Sequence, residues 1–330
     1  MIALDANGAD GGPSTVADGA RRAGTPVLAF GPAAELGEGL DVVDAPLAIG
    51  NDEEPARAVR AKPEASVVQA ARAVAEGRAD ALVSAGSTGA ALAAATLHVK
   101  RLKGVHRPAV AVLLPVPGRP TLLLDAGANV EVRPEHLVQF AYMGAAFMEA
   151  VEGVVRPRVG LLSIGEEPGK GTEDVVEAHS RLAGGPLEFV GNLEGGDVTS
   201  GAADVVVTDG FTGNVALKLM EGTARTVVGA IRDAIRSGPV STLGGLLIRG
   251  KVGRLRSELD PNTTGGAILL GLRGVAVVAH GRSSADGIAN AVRLARRAVD
   301  ERMVERTASA LSEAGVMRSA PAASFAASHD

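Results

Sequence analysis

The chain has 330 residues, of which 46% are hydrophobic and only 2% aromatic. This length permits one large α/β unit or two lobes, with a core built mainly from Ala, Val, Leu and Ile. The net charge of −5 excludes a globally basic nucleic-acid binder, and the absence of Cys excludes disulfides, thiolate metal sites and a cysteine acyl-enzyme.

Short apolar runs alternate with segments of helical spacing along the chain. Runs of Val, Leu and Ala of this length are typical of strands that are buried on both faces of a sheet. Strands that alternate with helices predict an α/β fold with a mostly parallel sheet flanked by helices. The predicted strands cover residues 2–4, 27–30, the region of Leu47, 81–83, 109–114, 122–124, 159–164, 188–190 and 205–208, and the predicted helices cover 65–76, 90–99, 134–149 and 215–236.

Polar and glycine-rich clusters follow five of the predicted strands. They cover residues 5–13, 84–89, 125–129, 165–172 and 209–214. In parallel sheets, ligands bind in the crevice beyond the carboxyl ends of the strands. We therefore expect the five clusters to meet at one edge of the sheet, with Asp5, Asp125 and Asn129 in the crevice.

Familiar nucleotide-binding motifs do not explain these clusters. No G-x-G-x-x-G follows the first strand, so a dinucleotide site is unsupported. Residues 245–251 match most of a P-loop, but Val252 replaces the Ser or Thr that binds magnesium, and no strand precedes them. Residues 165–172 are one residue short of a P-loop. Their backbone and Lys170 can still bind an anion, and the alternative is an ordinary glycine turn.

Residues 84–89 have the composition of an anion site. Small residues allow the backbone to approach a ligand closely, two hydroxyl groups add donors, and the N-terminus of the following helix attracts anions. Ser87 or Thr88 can equally be a helix cap, which is compatible with anion binding.

Residues 209–214 and His280 are the other candidate site groups. Asp209 supplies an acceptor and Asn214 an amide, and Lys218 follows about one helical turn later, so that it can face the same cavity. His280 follows an apolar run and precedes a helix, which gives it the best claim among the six His residues. The alternatives are a solvated surface position for Lys218 and a structural role for His280.

An ordered series of motifs over nearly the whole chain, up to about Arg306, resembles the PlsX family, the acyl-carrier-protein:phosphate acyltransferases. The matching stretches are DANGADGGP (5–13), PARAVR (55–60), SAGSTGA (84–90), DAGAN (125–129), PEHLVQFAYMG (134–144), RVGLLSIG (158–165), KG (170–171), FVGN (189–192), ADVVVTDGFTGNV (203–215), LK (217–218), EG (221–222), GGA (265–267), LG (270–271) and AHG (279–281). The sequence departs from the family at Asn7, Gly11, Ser87 and Val278, where Met, His, Asn and Lys are common. These departures leave the roles of those four side chains open.

The resemblance implies a three-layer α/β/α fold similar to those of phosphotransacetylases and isopropylmalate dehydrogenases, with a protruding helical tip near residues 237–256. It predicts one catalytic unit over residues 1–306, with two lobes around a crevice. The Ala- and Ser-rich segment 307–330 is expected to be a partly disordered tail. The family also implies a homodimer.

The implied reaction transfers a long-chain fatty acyl group from acyl carrier protein to inorganic phosphate. A membrane acyltransferase then uses the acyl phosphate to acylate glycerol 3-phosphate. Phosphate itself attacks the thioester, so neither a protein nucleophile nor a metal or other cofactor is required. The nearest alternative is phosphotransacetylase-like transfer from acyl-CoA, and the alternative from another class is a non-catalytic membrane-associated scaffold.

This reaction assigns provisional roles to the candidate residues. The residues expected to hold phosphate are Ser84, Gly86, Ser87, Thr88, Gly89 and Lys170. The residues expected to surround the thioester are Asp209, Asn214, Lys218 and His280.

Two surface segments suggest larger partners. The basic cluster of Lys100, Arg101, Lys103 and Arg107 is a candidate docking patch for the acidic carrier protein, and the alternative is a solvated face. Leu246, Leu247 and Ile248 lie among basic residues in segment 237–256, a pattern suited to an anionic lipid surface; the alternative is a dimer contact.

No signal-peptide pattern or membrane-spanning run is apparent, so we expect a cytoplasmic protein with peripheral membrane contact.

Overall fold

A computed structural model describes residues 1–116, 120–258, 263–279 and 281–318, without the side chains of residues 252 and 254–258. Within these ranges the strands are β1 (Ile2–Asp5), β2 (Val27–Gly31), β3 (Asp41–Asp44), β4 (Ala81–Ser84), β5 (Ala109–Leu114), β6 (Thr121–Leu124), β7 (Arg158–Leu162), β8 (Glu188–Leu193), β9 (Val205–Val207), β10 (Ala267–Leu270) and β11 (Val275–Val278). The helices are α1 (Gly12–Ala23), α2 (Ala33–Leu36), α3 (Pro55–Ala61), α4 (Ser66–Ala75), α5 (Thr88–Ala94), α6 (Pro134–Ala150), α7 (Glu173–Ala183), α8 (Gly210–Arg236), α9 (Pro239–Glu258), α10 (Ala285–Asp300) and α11 (Met303–Glu313). A π-helical turn (Ala95–Val99) continues α5.

All of these strands belong to one sheet, in the order β3-β2-β1-β4-β11-β10-β5-β6-β9-β7-β8. The strands from β3 to β11 in this order run parallel to one another. Three successive antiparallel pairs follow, β11–β10, β10–β5 and β5–β6. The strands from β6 to β8 are again parallel to one another. The predicted mostly parallel sheet is confirmed, and it consists of two parallel halves joined by an antiparallel centre.

The three reversals make the two halves run in opposite directions. The carboxyl ends of β1 and β4 lie at one edge of the sheet, which we call the first rim. The carboxyl ends of β6, β7 and β9 lie at the opposite edge, the second rim. The expectation that all five polar clusters meet at one edge is therefore wrong: clusters 5–13 and 84–89 lie at the first rim, and clusters 125–129, 165–172 and 209–214 lie at the second.

Helices cover both faces of the sheet, which gives three layers. On one face α1, α6, α7, α10 and α11 pack on alternate strand residues such as Leu4, Leu122 and Val277. On the other face α3, α4, α5 and α8 pack on the residues between them, such as Leu82, Leu123 and Val206. The side chains of a strand alternate between faces, so each strand contributes to both cores. The buried residues are mainly aliphatic, as the composition predicts.

Most predicted elements lie within two residues of observed ones, and 109–114 matches β5. Two of these predictions differ. The region of Leu47 is not a strand, and the third strand is β3. Helix α8 begins at Gly210 rather than 215, because the Asp209 side chain caps it by accepting a hydrogen bond from the Thr212 N–H.

The C-terminal prediction also needs correction. Residues 307–313 are not a tail, because they belong to α11, which packs on α6. Leu311 is fully buried and Thr307 donates a hydrogen bond to the Met303 carbonyl at 2.8 Å. The folded unit thus continues past residue 306. The rest of the predicted tail, from residue 319, lies outside the described residues.

Helices α8 and α9 form a hairpin on the surface, at the position of the predicted helical tip. Gly245 allows the two helices to pack closely, since an added Cβ would lie 2.3 Å from the Ile235 side chain. Between Asn214 and Lys251, a stretch that the structure describes throughout, no residue is buried. Leu246 and Leu247 are 61% and 82% exposed.

A buried polar network orders the first rim. Asp5 is inaccessible at the end of β1 and accepts hydrogen bonds from the Ser66 hydroxyl at 2.6 Å and the Ser84 hydroxyl at 2.7 Å. Asn7 donates to Ser66 and to the Ala45 carbonyl. Burial raises the pKa of Asp5 from 3.8 to about 6, although the hydrogen bonds from Ser66, Ser84 and Asn7 oppose this shift.

The raised pKa of Asp5 makes protein stability depend on pH. Between the two pKa values the folded protein binds the proton more tightly than the unfolded chain, so stability falls as the pH rises through this window. Above pH 6 the ionised group destabilises the fold by about 3 kcal/mol relative to its protonated form. We predict that the free energy of unfolding of Asp5→Asn, which cannot ionise, rises relative to that of the wild type by about 3 kcal/mol as the pH goes from roughly 4 to 7. Urea unfolding at several pH values measures this difference.

The same change at an exposed position, Asp52→Asn, is the matched control for loss of one carboxylate. If the difference in free energy of unfolding between Asp5→Asn and the wild type does not change with pH, the pKa of Asp5 is not raised.

Candidate active site

A cavity of about 310 Å³ lies on the face of the sheet that carries α5 and α8. It lies between these two helices, over the antiparallel centre of the sheet. The floor is formed by β5, where Val110, Val112 and Leu114 span about 13 Å from the second rim to the first. The other lining residues are Thr88, Gly89, Leu92, Leu113, Pro115, Ala126, Gly127, Asn214, Leu217, Lys218, Met220, Glu221, Thr264, Gly266, Ala267, Val278 and Ala279.

Asn214 is held at the second-rim end of this cavity by the loop after β6. Its Nδ2 donates to the Ala126 carbonyl at 3.2 Å. Gly127 has a φ of 142°, and an added Cβ would lie 2.9 Å from Asn214 Nδ2, so this position requires glycine. A Cβ at Gly213 would lie 1.9 Å from the Asp125 carbonyl oxygen. The first turn of α8 therefore packs directly on the loop after β6.

Asp125 organises that loop from beneath and is not exposed in the cavity. Its carboxylate accepts hydrogen bonds from the N–H groups of Val110, Gly127, Ala128 and Asn129 and from the Asn129 side chain. Burial raises the pKa of Asp125, and these hydrogen bonds oppose the shift. The predicted crevice residues Asp5, Asp125 and Asn129 thus fix the loops at the rims, and none of them lines the cavity.

Lys218 and Glu221 form an ion pair on the part of α8 that faces the cavity. Lys218 Nζ lies 3.1 Å from Glu221 Oε2, and the Glu221 side chain is 15% exposed. Sequence reasoning assigned no role to Glu221. Its position three residues after Lys218 on a helix was the available signal, because residues so spaced face the same side.

The structure divides the predicted phosphate loop at residues 84–89. Ser84 is buried and its hydroxyl donates to Asp5, so it is not available to a ligand in the cavity. Gly86 and Ser87 line a very small cavity beside Asp5, and the Ser87 hydroxyl caps α5 by accepting from the Ala90 N–H at 3.5 Å. Thr88 and Gly89 do line the main cavity, at the end nearer the first rim.

Lys170 does not join residues 84–89, and the expectation that they hold one phosphate together is wrong. It is exposed after β7 at the second rim, where its carbonyl accepts from the Ser163 hydroxyl at 2.9 Å. Six strand spacings separate β4 from β7 in the sheet, roughly 29 Å at about 4.8 Å each. A lysine side chain is far too short to cross that distance.

His280 lies outside the described residues. Its neighbours Val278 and Ala279 line the cavity, and the Ala279 N–H donates to the Ser84 carbonyl at 2.8 Å. Val278, where many PlsX proteins have Lys, contributes an apolar side chain to the lining.

The predicted docking residues form an exposed basic patch beside the second rim. Lys100, Arg101, Lys103 and Arg107 are all exposed on the segment that enters β5. The Arg101 guanidinium donates to the His106 carbonyl, which orders the segment. Asn129 Nδ2 donates to the Pro108 carbonyl at 2.9 Å, which ties the segment to the loop that supports Asn214.

One group of residues in the described part of the chain has ligand atoms close enough to hold a metal ion: His106, Glu135 and His136, within 4.8 Å of one another. His136 Nδ1 accepts a hydrogen bond from the Arg133 N–H at 3.2 Å, so Nε2 of the neutral ring carries the proton. Burial lowers the pKa of both histidines, which makes them neutral at pH 7. This tautomer fits a helix cap at the start of α6 better than a metal ligand.

In the described part of the chain, no helix is long and apolar enough to cross a membrane.

Comparisons with known proteins agree with the sequence motifs. The family model described as "Fatty acid synthesis protein" matches residues 1–306. A phosphate acyltransferase of Elusimicrobium minutum is 46% identical, over 92% of this chain and 93% of the relative. Another of Gloeobacter violaceus is 43% identical, over 92% of this chain and 95% of the relative.

Solved structures with the same fold include a phosphotransacetylase from Streptococcus pyogenes. It has a TM-score of 0.60 at 17% identity and covers 91% of this chain and 94% of its own. A 4-hydroxythreonine-4-phosphate dehydrogenase from Klebsiella pneumoniae has a TM-score of 0.53 at 16% identity and covers 91% of this chain and 99% of its own. These likenesses confirm the predicted fold class.

With a family model that matches residues 1–306 and relatives above 40% identity over most of its length, the chain belongs to the PlsX family of phosphate acyltransferases, enzymes that transfer acyl groups to phosphate.

Proposed function

We propose that the protein transfers a long-chain fatty acyl group from acyl carrier protein to inorganic phosphate. The acyl phosphate formed would be the substrate of a membrane enzyme that acylates glycerol 3-phosphate. The observation that carries the proposal is the largely apolar cavity in which the polar groups of Asn214, Lys218 and Glu221 meet on one helix. An apolar lining suits an acyl chain, and a few polar groups suit its reacting end.

The chemistry requires an anion to be held beside a thioester carbonyl. A phosphate oxygen attacks the carbonyl carbon, a C–O bond forms, the C–S bond breaks, and the thiolate takes a proton from solvent. The Lys218 ammonium offsets the charge of phosphate. One Asn214 Nδ2 hydrogen is used by Ala126, and the other can donate to the carbonyl oxygen as it becomes negative.

The first test combines product trapping with Asn214→Ala. Palmitoyl-carrier-protein, phosphate and hydroxylamine should yield palmitoyl hydroxamate with the wild-type enzyme. Loss of the Asn214 donor should slow formation at least about tenfold, or ~1.4 kcal/mol in the barrier. Acyl-CoA is run in parallel to separate the carrier-protein reaction from the phosphotransacetylase-like one.

Asn51→Ala, at an exposed position, is the matched control and should keep the wild-type rate. Undiminished turnover by a folded Asn214→Ala enzyme would remove Asn214 from the site. No hydroxamate with either donor would favour the non-catalytic scaffold.

The basic patch supports a second part of the proposal, docking of the acidic carrier protein. Lys103 and Arg107 are exposed on the segment that Asn129 ties to the loop after β6, so a bound carrier would bring its thioester towards the second-rim end of the cavity. Opposite charges across an interface mainly speed association and fix orientation.

Reversing both charges, Lys103→Glu with Arg107→Glu, should raise the KM for palmitoyl-carrier-protein at least about tenfold. The KM for palmitoyl-CoA should change less than twofold, roughly, because CoA does not need the patch. Arg306→Glu, at an exposed position on α11, is the control. An unchanged KM for the carrier protein at low salt would rule out docking here.

The α8–α9 hairpin supports a peripheral membrane contact and a homodimer. Leu246, Leu247 and Ile248 are exposed next to Arg249 and Lys251, while the side chains of Arg254 and Arg256 lie outside the described ones. Further large apolar side chains are exposed along α8, and they suit a contact with a second copy; they are Phe211, Val215, Leu219, Val227 and Ile231.

Flotation with anionic liposomes distinguishes these two surfaces. Leu246→Asp with Leu247→Asp should abolish flotation and leave the dimer mass unchanged in light scattering, since an apolar tip inserts and a charged one does not. Leu219→Asp should have the reverse effect. If the Leu246 and Leu247 changes instead yield monomers, the tip is the dimer contact.

A further inference from the structure

A second apolar groove adjoins the active-site cavity. It lies between α3 and the α5–π-turn segment and has a volume of about 420 Å³. Gly89 and Leu92 line both spaces, so the groove begins where the cavity ends. Its lining is largely apolar, with Val59, Ala93 and Leu97 among its walls.

The size of the first cavity makes this continuity significant. At about 310 Å³ it is at the lower limit of ligand sites, which typically measure about 300–1,000 Å³. If the proposed function is right, it must hold phosphate and the thioester carbonyl before any of the chain is placed. A long acyl chain therefore needs further apolar space that is continuous with the polar end.

The border between the two spaces is formed by small or movable groups. An added Cβ at Gly89 would lie 2.8 Å from Pro55 Cγ, so α3 approaches α5 closely only because residue 89 is glycine. Leu92 is half-buried, and its side chain lines both spaces. Beyond the border, the π turn brings Thr96 and Leu97 into the groove. Such turns are rare and frequently lie at functional sites.

We propose that the groove between α3 and α5 receives the distal part of the acyl chain, and that Ala93 and Leu97 set the upper limit of chain length. The inference rests on the proposed function and adds the specificity surface to it. Burial of one methylene group is worth about fourfold in affinity, or ~0.8 kcal/mol. The selectivity for long over short chains should therefore come from the groove. Transfer of short chains should not depend on it.

The test fills the groove with Ala93→Trp and measures kcat/KM for butyryl, decanoyl and palmitoyl donors. Ala93 lines the groove and not the cavity. The variant should keep butyryl transfer within roughly twofold and lose at least about tenfold on palmitoyl transfer, since several methylene groups lose their site. Ala310→Trp, in a groove of the same volume between α6 and α11, is the matched control and should keep the wild-type profile.

Leu97→Asp gives the same answer if Ala93→Trp does not fold, because Leu97 is 40% exposed and its replacement leaves the core intact. It should lower palmitoyl transfer selectively. Equal losses at every chain length, no loss at all, or a change in oligomer mass with an unchanged profile would overturn the inference. Palmitoyl transfer from carrier protein by the wild type separates the two failures: if it is absent, the proposed function itself is wrong, and if it is present, only the groove is in question.

Discussion

The reversal of strand direction at the centre of the sheet is the constraint on which the active site depends. In each parallel half, crossover helices cover the strands and exclude ligands. The strands β10 and β5 pair antiparallel with their neighbours, and the cavity lies over them on one face, between α5 and α8. The cavity is thus a gap between two opposed α/β halves, and residues from both rims reach it because it extends across the width of the sheet.

A buried carboxylate holds the loop at each rim. At the first rim Asp5 accepts from two hydroxyl groups, and at the second Asp125 accepts from four backbone N–H groups and one amide. A buried carboxylate is costly unless it is hydrogen-bonded, so each loop is ordered around the group that it must satisfy. This explains why Asp125 lies beneath the cavity while its neighbours Ala126 and Gly127 line it.

The sequence predicted the elements better than their arrangement. Continuous apolar runs identify strands buried on both faces, and the run at 109–114 matches β5. Strand direction depends on pairing between distant segments, which no local pattern records, so Lys170 and Ser84 were wrongly grouped. Glu221 was missed because a single acidic residue on a long helix resembles a solvated position, and only the packing of α8 over β5 brings it to the cavity.

The charge balance of the cavity suggests how phosphate can enter without a dedicated anion pocket. Lys218 is about half exposed and already paired with Glu221. Exposed pairs are worth less than about 1 kcal/mol, but the Glu221 carboxylate of this pair is only 15% exposed, so a phosphate dianion at Lys218 would have to bind without breaking the pair. The dianion gains more from the ammonium as the acyl chain displaces water, because the interaction strengthens when the local dielectric falls. On the proposed function, binding of the chain and binding of phosphate should therefore reinforce each other, with Lys218 held in place by its ion pair with Glu221.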